Sequence, residues 1–281
     1  MNLLHVLILA LVQGFCELLP VSSSAHVIMV EKMLGLDPTA PEMTLLLVML
    51  HTGTMFAVIV YFWHSWAATY FASVEAFRRN SLHLIVATAA TGVVGLFLLQ
   101  AIKAIVAESA PDFEIEHLFG NSRIMSAGLF TAGLLILYSS RRKPVAGTEV
   151  TARSALWIGA VQGLCLPFRG LSRSGATISA GLSLGVARRI AEQFSFALAV
   201  VLTPVVIVRE AWRLLKSPAA ASAMHTGGAW SLVMPSLIGM ALSFVAGLLA
   251  LRWLSRWLET DRWHLFGFYC IAAAVAVLIA G

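Results

Sequence analysis

The chain has 281 residues, of which 59% are apolar and only 12% charged, and its mean hydropathy is +0.86. Soluble domains carry about 25% charged residues, so this composition excludes an ordinary water-soluble protein and makes the lipid bilayer its expected solvent. The net charge of +5 does not suggest nucleic-acid binding, because the cations are scattered singly or in pairs between apolar runs rather than gathered on one patch.

Taken in chain order, runs of roughly 20 apolar residues, the length needed to cross a bilayer, fall near 43–63, 84–103, 123–140, 190–209, 231–251 and 263–280. Two further apolar regions, 3–34 and 154–187, are each interrupted near the middle. The first is broken at Pro20-Val-Ser-Ser-Ser and the second at Pro167-Phe-Arg-Gly-Leu-Ser-Arg-Ser-Gly. Each half is too short to cross, and broken helices at membrane depth are tolerated where they line a cavity or lie within protein. Both regions therefore read as re-entrant helical hairpins. Apolar from Leu3 and without Lys or Arg before Lys32, the first lacks the positive region of a secretory signal and is expected to remain in the mature protein. Cys16, Cys165 and Cys270 lie in apolar stretches without a paired spacing, so neither a disulfide framework nor a zinc site is expected.

The two broken regions resemble each other. Val12-Gln13-Gly14-Phe15-Cys16 recurs as Val161-Gln162-Gly163-Leu164-Cys165, an offset of 149, and the Ser22–Ala25 turn recurs at Ser172–Gly175, an offset of 150. The expectation is an all-α polytopic membrane protein with a single membrane domain over 1–281. Repeat 1 covers 1–145 and repeat 2 covers 150–281, each with one hairpin and three spans. An odd number of crossings inserts the two copies in opposite orientations, the inverted-topology plan. Loops at 64–83, 140–153, 186–192 and 252–262 carry Arg78, Arg79, Arg141, Arg142, Lys143, Arg153, Arg188, Arg189, Arg252, Arg256 and Arg262. The opposite side holds Glu108, Asp112, Glu114 and Glu116 in one loop, and Arg209, Arg213 and Lys216 around the other. The excess of cations places the first set in the cytoplasm, with both termini and the first hairpin outside and the two breaks meeting near the midplane. Trp63, Trp66, Trp230, Trp253 and Trp263 read as interfacial anchors, and the acidic loop as a solvated one.

The breaks hold the chemistry. Gln13 and Glu17 share one helix face, and Ser22, Ser23 and Ser24 open the next half-helix, with His26 on its first turn. Ser22 is a favourable N-cap, and a half-helix N-terminus favours anions, phosphate above all. In the second break Arg169, Ser172, Arg173 and Ser174 occupy matching positions, with Thr177 one turn later. Ser22, Ser24, Arg169, Ser172, Ser174 and Thr177 are expected to bind phosphate. Arg173 would clamp phosphoryl oxygens and stabilise transition-state charge. Ser23 or His26 would attack phosphorus. Glu17 would act as base, orient His26, or hold a divalent cation with help from Gln13. A serine cluster in a membrane helix is often only helix–helix glue, whereas a Glu or Arg in an apolar region is expensive enough to mark function. His51, which starts a span, reads as structural.

Gln13-Gly-Phe-Cys-Glu17-Leu-Leu-Pro20-Val-Ser-Ser-Ser-Ala-His26 resembles the first signature of the undecaprenyl-diphosphate phosphatase, or bacitracin-resistance, family, and Gly170-Leu-Ser-Arg-Ser-Gly-Ala-Thr177 resembles the second. His51-Thr-Gly-Thr and Phe194-Ser-Phe-Ala-Leu-Ala are also similar to that family, and length and duplication agree over essentially the whole chain. The resemblance implies a bacterial inner-membrane hydrolase that takes the terminal phosphate from undecaprenyl diphosphate. This recycles the lipid carrier of peptidoglycan synthesis and confers bacitracin resistance. It further implies a divalent cation, Mg²⁺ or Ca²⁺, and action from the periplasmic face. The implied site residues are Gln13, Glu17, Ser22, Ser23, His26, Ser172, Arg173, Ser174 and Thr177, with the nucleophile left open between serine and histidine. The expected partners are a polyprenyl diphosphate lipid and the bilayer, with no nucleic acid, and a homodimer is left open. Three positions depart from the family pattern: Ser24 in place of Thr keeps the hydroxyl, Ala25 in place of Gly keeps a small side chain, and Arg169 in place of Pro adds a cation beside the expected phosphate site, which points to a divergent paralogue. The competing reading is a lipid-phosphate transporter or flippase, since inverted repeats with a midplane anion site are transporter architecture; Glu17 with Ser23 and His26 argues for hydrolysis. The acid-phosphatase type of lipid phosphatase is set aside, because neither Ser122-Arg123 nor Ser172-Arg173 is followed by its His and Asp spacing.

Overall fold

The computed structural model describes residues 2–37, 40–107, 121–142, 149–216 and 218–280. Ten helices and no strand occur among the described residues. They are α1 (Leu3–Leu18), α2 (Ser23–Met33), α3 (Pro41–Tyr70), α4 (Val74–Ala107), α5 (Ser122–Ser140), α6 (Ala152–Cys165), α7 (Arg173–Ser183), α8 (Arg188–Lys216), α9 (Pro218–Glu259) and α10 (Trp263–Ala280). The acidic residues Glu108, Asp112, Glu114 and Glu116, and Lys143 of the basic loops, lie outside the described residues.

Six segments are long and apolar enough to cross a membrane: Glu42–Tyr70, Val74–Ile105, Ser122–Ser140, Arg188–Arg213, Val233–Glu259 and Trp263–Ala280. They coincide with the six expected spans but run past the apolar runs. The expected loop at 64–83 shrinks to three residues between Tyr70 and Val74, and α8 and α9 likewise take in charged residues at their ends. A helix already satisfies its own backbone groups, so nothing obliges it to stop at the end of an apolar run, and Arg stems can lie along apolar surface with their heads in water. Val93, Leu96, Phe97, Val205 and Leu249 are among many large apolar side chains on the outer surface, as a lipid solvent allows.

The four remaining helices are short: α1 has 16 residues, α2 has 11, α6 has 14 and α7 has 11. At 1.5 Å per residue even α1 reaches only about 24 Å, less than the roughly 30 Å of a hydrocarbon core. Glycine sets how two of them pack. A Cβ on Gly14 of α1 would sit 2.5 Å from Ala246 Cβ and 2.9 Å from the Ser243 carbonyl oxygen of α9. Its sequence counterpart Gly163 on α6 is pressed in the same way against α4, with Val94 Cβ at 2.8 Å and the Thr91 carbonyl oxygen at 2.9 Å. Around the first break Leu18, Leu19 and Val21 are buried in a core shared with Ile136, Ile178, Phe196, Leu254 and Trp263. The turn is therefore held by packing and not left in solvent.

Trp263 corrects one expectation. It is only 2% exposed, and its indole N–H donates to Ser139 Oγ at 3.0 Å. It is a core residue joining α10 to α5, whereas Trp63, Trp230 and Trp253 are exposed. Its N–H finds a buried hydroxyl, which removes the usual reason for a tryptophan to stay at the wet boundary.

Candidate functional site

Glu17 is the hub of the site. It sits on the last turn of α1, where Leu19 turns extended and the helix stops before Pro20. Its Oε2 accepts a hydrogen bond from Ser23 Oγ at 2.6 Å and from Gln13 Nε2 at 3.2 Å. Its Oε1 accepts from Arg173 Nη2 at 2.8 Å. The carboxylate is thus shared between the first residue of α2 and the first residue of α7. Glu17 and Arg173 keep 16% and 27% of their side-chain surface exposed, so the pair remains reachable from outside the protein. A guanidinium has five N–H donors, and Glu17 takes one.

The two breaks bind each other reciprocally. Ser22 Oγ donates to the Arg169 carbonyl oxygen at 2.7 Å, and Ser174 Oγ donates to the Leu19 carbonyl oxygen at 3.2 Å. Each turn thereby supplies a hydroxyl to a carbonyl of the other, and Cys270 Sγ of α10 adds a contact to the Pro20 carbonyl oxygen at 3.1 Å. Ser22 does occupy the N-cap position of α2, but its side chain makes no capping bond, and its backbone sits at φ 65° and ψ 92°. A non-glycine residue in that region costs on the order of 1–3 kcal/mol and survives where its surroundings impose it. Ser172 caps α7 in the ordinary way, accepting from the Gly175 N–H at 3.2 Å, and lies 3.4 Å from Ser174 Oγ. Thr177 is wholly buried, donating to the Arg173 carbonyl oxygen at 2.8 Å and lying 2.6 Å from Ser195 Oγ. In this arrangement the hydroxyls of Ser22, Ser174 and Thr177 are committed to protein groups. Ser24 is half-buried on the first turn of α2.

His26 is brought close but is engaged elsewhere. Its Nδ1 lies 2.8 Å from the Ser22 carbonyl oxygen and its Nε2 lies 2.7 Å from the Tyr269 hydroxyl, with the two rings stacked. Of the two candidate nucleophiles, only Ser23 is hydrogen-bonded to a carboxylate. Arg169 is exposed at the second break. Its charge acts on Glu31 of α2, which is 3% exposed and has one oxygen, Oε1, buried without a hydrogen-bond partner. Burial pushes the Glu31 carboxyl up to about 7, with the Arg169 charge acting in the opposite sense.

Sequence reasoning missed Glu31 and read His51 as structural. The structure brings His51 Nε2 to 3.8 Å from Glu17 Oε2 while its Nδ1 bonds the Leu47 carbonyl oxygen at 2.8 Å. The signal available for His51 was a polar residue within an apolar span; for Glu31 it was an acid just before the turn that ends α2. Glu17 and Gln13 are the oxygen donors suited to a hard cation here, although Gln13 turns its amide nitrogen toward Glu17. Among the described residues no group of three His, Cys, Asp or Glu side chains is placed to hold a metal.

The family model described as bacitracin resistance protein BacA matches residues 6–276, nearly the whole chain. The chain belongs to this BacA family. It is 59% identical over 278 residues to undecaprenyl-diphosphatase 2 of Acinetobacter baylyi (strain ATCC 33305 / BD413 / ADP1), covering 99% of this chain and 98% of that protein. It is 35% identical over 282 residues to the undecaprenyl-diphosphatase of Anaeromyxobacter sp. (strain Fw109-5), covering 99% and 88%. A third relative is the undecaprenyl-diphosphatase of Korarchaeum cryptofilum (strain OPF8), 31% identical over 295 residues. With the six apolar helices, this makes the chain a multi-span membrane member of the BacA family.

Proposed function

We propose that the protein is an undecaprenyl-diphosphatase, a membrane hydrolase that converts undecaprenyl diphosphate to undecaprenyl phosphate for reuse as lipid carrier in peptidoglycan synthesis, and so confers bacitracin resistance. The observation that carries this reading is Glu17 joining Ser23 Oγ at 2.6 Å and Arg173 at 2.8 Å across two helix N-termini. A flippase has no need of a serine hydroxyl hydrogen-bonded to a carboxylate.

In this mechanism the diphosphate enters between the N-termini of α2 and α7, where free backbone N–H groups and Arg173 meet its negative charge. Ser23 Oγ attacks the terminal phosphorus as Glu17 takes its proton. The bond from that phosphorus to the bridging oxygen breaks, and undecaprenyl phosphate leaves with the oxygen. Glu17 releases that proton to the departing phosphate oxygen, then takes a proton from water as the water attacks the phosphoserine and returns it to Ser23 Oγ as inorganic phosphate leaves. Arg173 neutralises charge on the non-bridging oxygens, the term on which phosphoryl transfer depends most. His26, held by the Ser22 carbonyl and the Tyr269 hydroxyl, lies three residues after Ser23 on α2. Ser24, Ser172 and Arg169 offer further donors toward the phosphates, while Ser22, Ser174 and Thr177 hold the turns in register. Glu17 and Gln13 would hold Mg²⁺ or Ca²⁺ together with the diphosphate, and a bound cation would neutralise phosphoryl charge.

The same proposal includes the architecture: α1–α2 and α6–α7 as re-entrant hairpins, and residues 1–145 and 150–281 as inverted repeats. The paired roles of Gly14 and Gly163 support it, as does the order of two short and three long helices in each half. Basic residues near the N-terminal ends of α4 and α8 pair with acids of the connections, Arg79 with Glu149 and Arg188 with Asp261. The side carrying these connections would be cytoplasmic in an inner-membrane protein, with the site open to the periplasm.

The test is phosphate release by purified protein in detergent with farnesyl or undecaprenyl diphosphate and Mg²⁺. Wild type releases phosphate, and Glu17→Gln and Arg173→Ala each lower kcat by at least about 10²–10³ with their thermal transitions retained. If wild type releases none while liposomes carrying it exchange lipid phosphate between leaflets, the transport reading replaces this one.

A further inference from the structure

At the basic end of the molecule, three helix ends are tied together around a buried carboxyl. Ser255 Oγ of α9 donates to Glu192 Oε1 of α8 at 2.6 Å, Tyr61 of α3 donates to Ser255 Oγ at 3.0 Å, and Trp66 Nε1 donates to the Gln193 carbonyl oxygen at 3.3 Å. Beside this knot, the last turns of α9 and the turn into α10 form a cavity of about 470 Å³ lined by Arg252, Trp253, Arg256, Trp257, Thr260 and Arg262. That volume lies within the range of small-ligand sites, and nothing in the proposed hydrolysis uses it.

Its construction follows from helix periodicity. Arg252 and Arg256 are one turn apart and so are Trp253 and Trp257, giving two parallel stripes, cationic and aromatic, on neighbouring faces. The chain then reverses through Asp261 at φ 60°, and the Arg262 N–H returns to the Trp257 carbonyl oxygen at 2.8 Å, which brings a third guanidinium to the rim. Asp261 is drawn to Arg188 instead. Among the described residues none of the three lining arginines has an ion-pair partner, and the exposed Glu259 does not line the cavity. The aromatic wall is braced: Trp253 and Trp257 meet edge to face at 4.9 Å, and Trp257 lies against Phe266 at 5.1 Å.

Three unneutralised guanidiniums call for a ligand with several anionic acceptor oxygens. A tryptophan wall at the end of a span, continuing on α9 into lipid-facing Leu249 and Val245, calls for an apolar tail on the same ligand. We propose that this cavity is a binding site for the headgroup of an anionic phospholipid from the leaflet on the basic side, its phosphate on the arginines and its glycerol and upper acyl chains on the tryptophans.

Native mass spectrometry of the purified full-length protein in detergent tests this with phosphatidylglycerol, phosphatidylcholine and inorganic phosphate as probes. One phosphatidylglycerol is expected to be retained per chain, in preference to phosphatidylcholine and undisplaced by an equal concentration of phosphate. Arg252→Gln with Arg256→Gln should weaken it on the order of 30-fold, about fivefold per charge, and Arg262→Gln alone about fivefold. The control pair Arg78→Gln with Arg79→Gln, on the same side but outside the cavity, should change it by less than about threefold. Equal retention of phosphatidylcholine, displacement by phosphate, or equal loss in the control pair would each overturn the proposal, the first pointing to greasy adhesion, the second to a free-anion site and the third to diffuse surface charge.

Discussion

The two helix breaks share a sequence pattern but carry different loads. Gln13 and Gln162 correspond, yet Gln13 donates to Glu17 at 3.2 Å, whereas Gln162 lies 3.5 Å from Thr91 Oγ1 and keeps a buried oxygen without a partner. Glu17 corresponds by the same offset of 149 to Leu166, and Ser23 corresponds by the serine turn's offset of 150 to Arg173, these two being the first residues of their helices. The first break thus supplies carboxylate and hydroxyl and the second supplies the cation. The backbones divide similarly: strain sits at Ser22 in the first turn, while Ser172 in the second is an unstrained cap. Glu17 meets the first residue of each following helix, Ser23 of α2 and Arg173 of α7, so matched positions carry a hydroxyl on one side of the carboxylate and a guanidinium on the other.

The sharpest way to break this comparison is at the first residues of α2 and α7. Ser23→Ala is expected to lower kcat for phosphate release by at least about 10³ with the thermal transition retained. Measured activity within tenfold of wild type would transfer the nucleophile's role to His26.

Backbone tolerance should differ next. Pro20 of the first break corresponds to Gly170 of the second, where a Cβ would run into the Met125 backbone of α5. Gly170→Ala should destabilise by about 1–3 kcal/mol, read as a lower midpoint of thermal unfolding in detergent. An unchanged midpoint would mean that the second turn moves freely, contrary to the tight seat described.

The smallest effect concerns the charge linking the breaks. The folded-state value of Glu31, about 7, lies above the roughly 4.3 of a free glutamate, so the fold prefers the protonated carboxyl. Its contribution to stability is full at pH 4 and lost as pH rises through 7. Glu31→Gln should flatten the fall in midpoint between pH 5 and 8 by about 2–4 °C, and an unaltered slope would assign that dependence to another group.

Much of the site was legible because its chemistry conflicts with its solvent. Glu17 and Arg173 are expensive in apolar segments, so their presence alone singled them out, and the repeated Val-Gln-Gly motif paired the two breaks. Contacts between elements distant in sequence were not legible. His51 is 34 positions after Glu17 and looked like the polar start of a span, and Trp263 looked like a membrane anchor until Ser139 supplied its partner. The hydroxyls of Ser22 and Ser174 promised phosphate ligands, yet each has a carbonyl of the opposite turn within reach.

The sequence by itself determined the solvent, the six spans, the two interruptions and the residue types at them, because hydrophobic run length and the cost of buried charge are local quantities. Only the tertiary structure decided that Glu17 stands between Ser23 and Arg173, that His26 is taken up by Ser22 and Tyr269, and that three arginines and two tryptophans line a cavity at the end of α9. Those arrangements depend on how close α1, α6 and α9 can approach their neighbours. Side-chain volume and hydrogen-bond satisfaction across the fold set that distance, and no single segment encodes it.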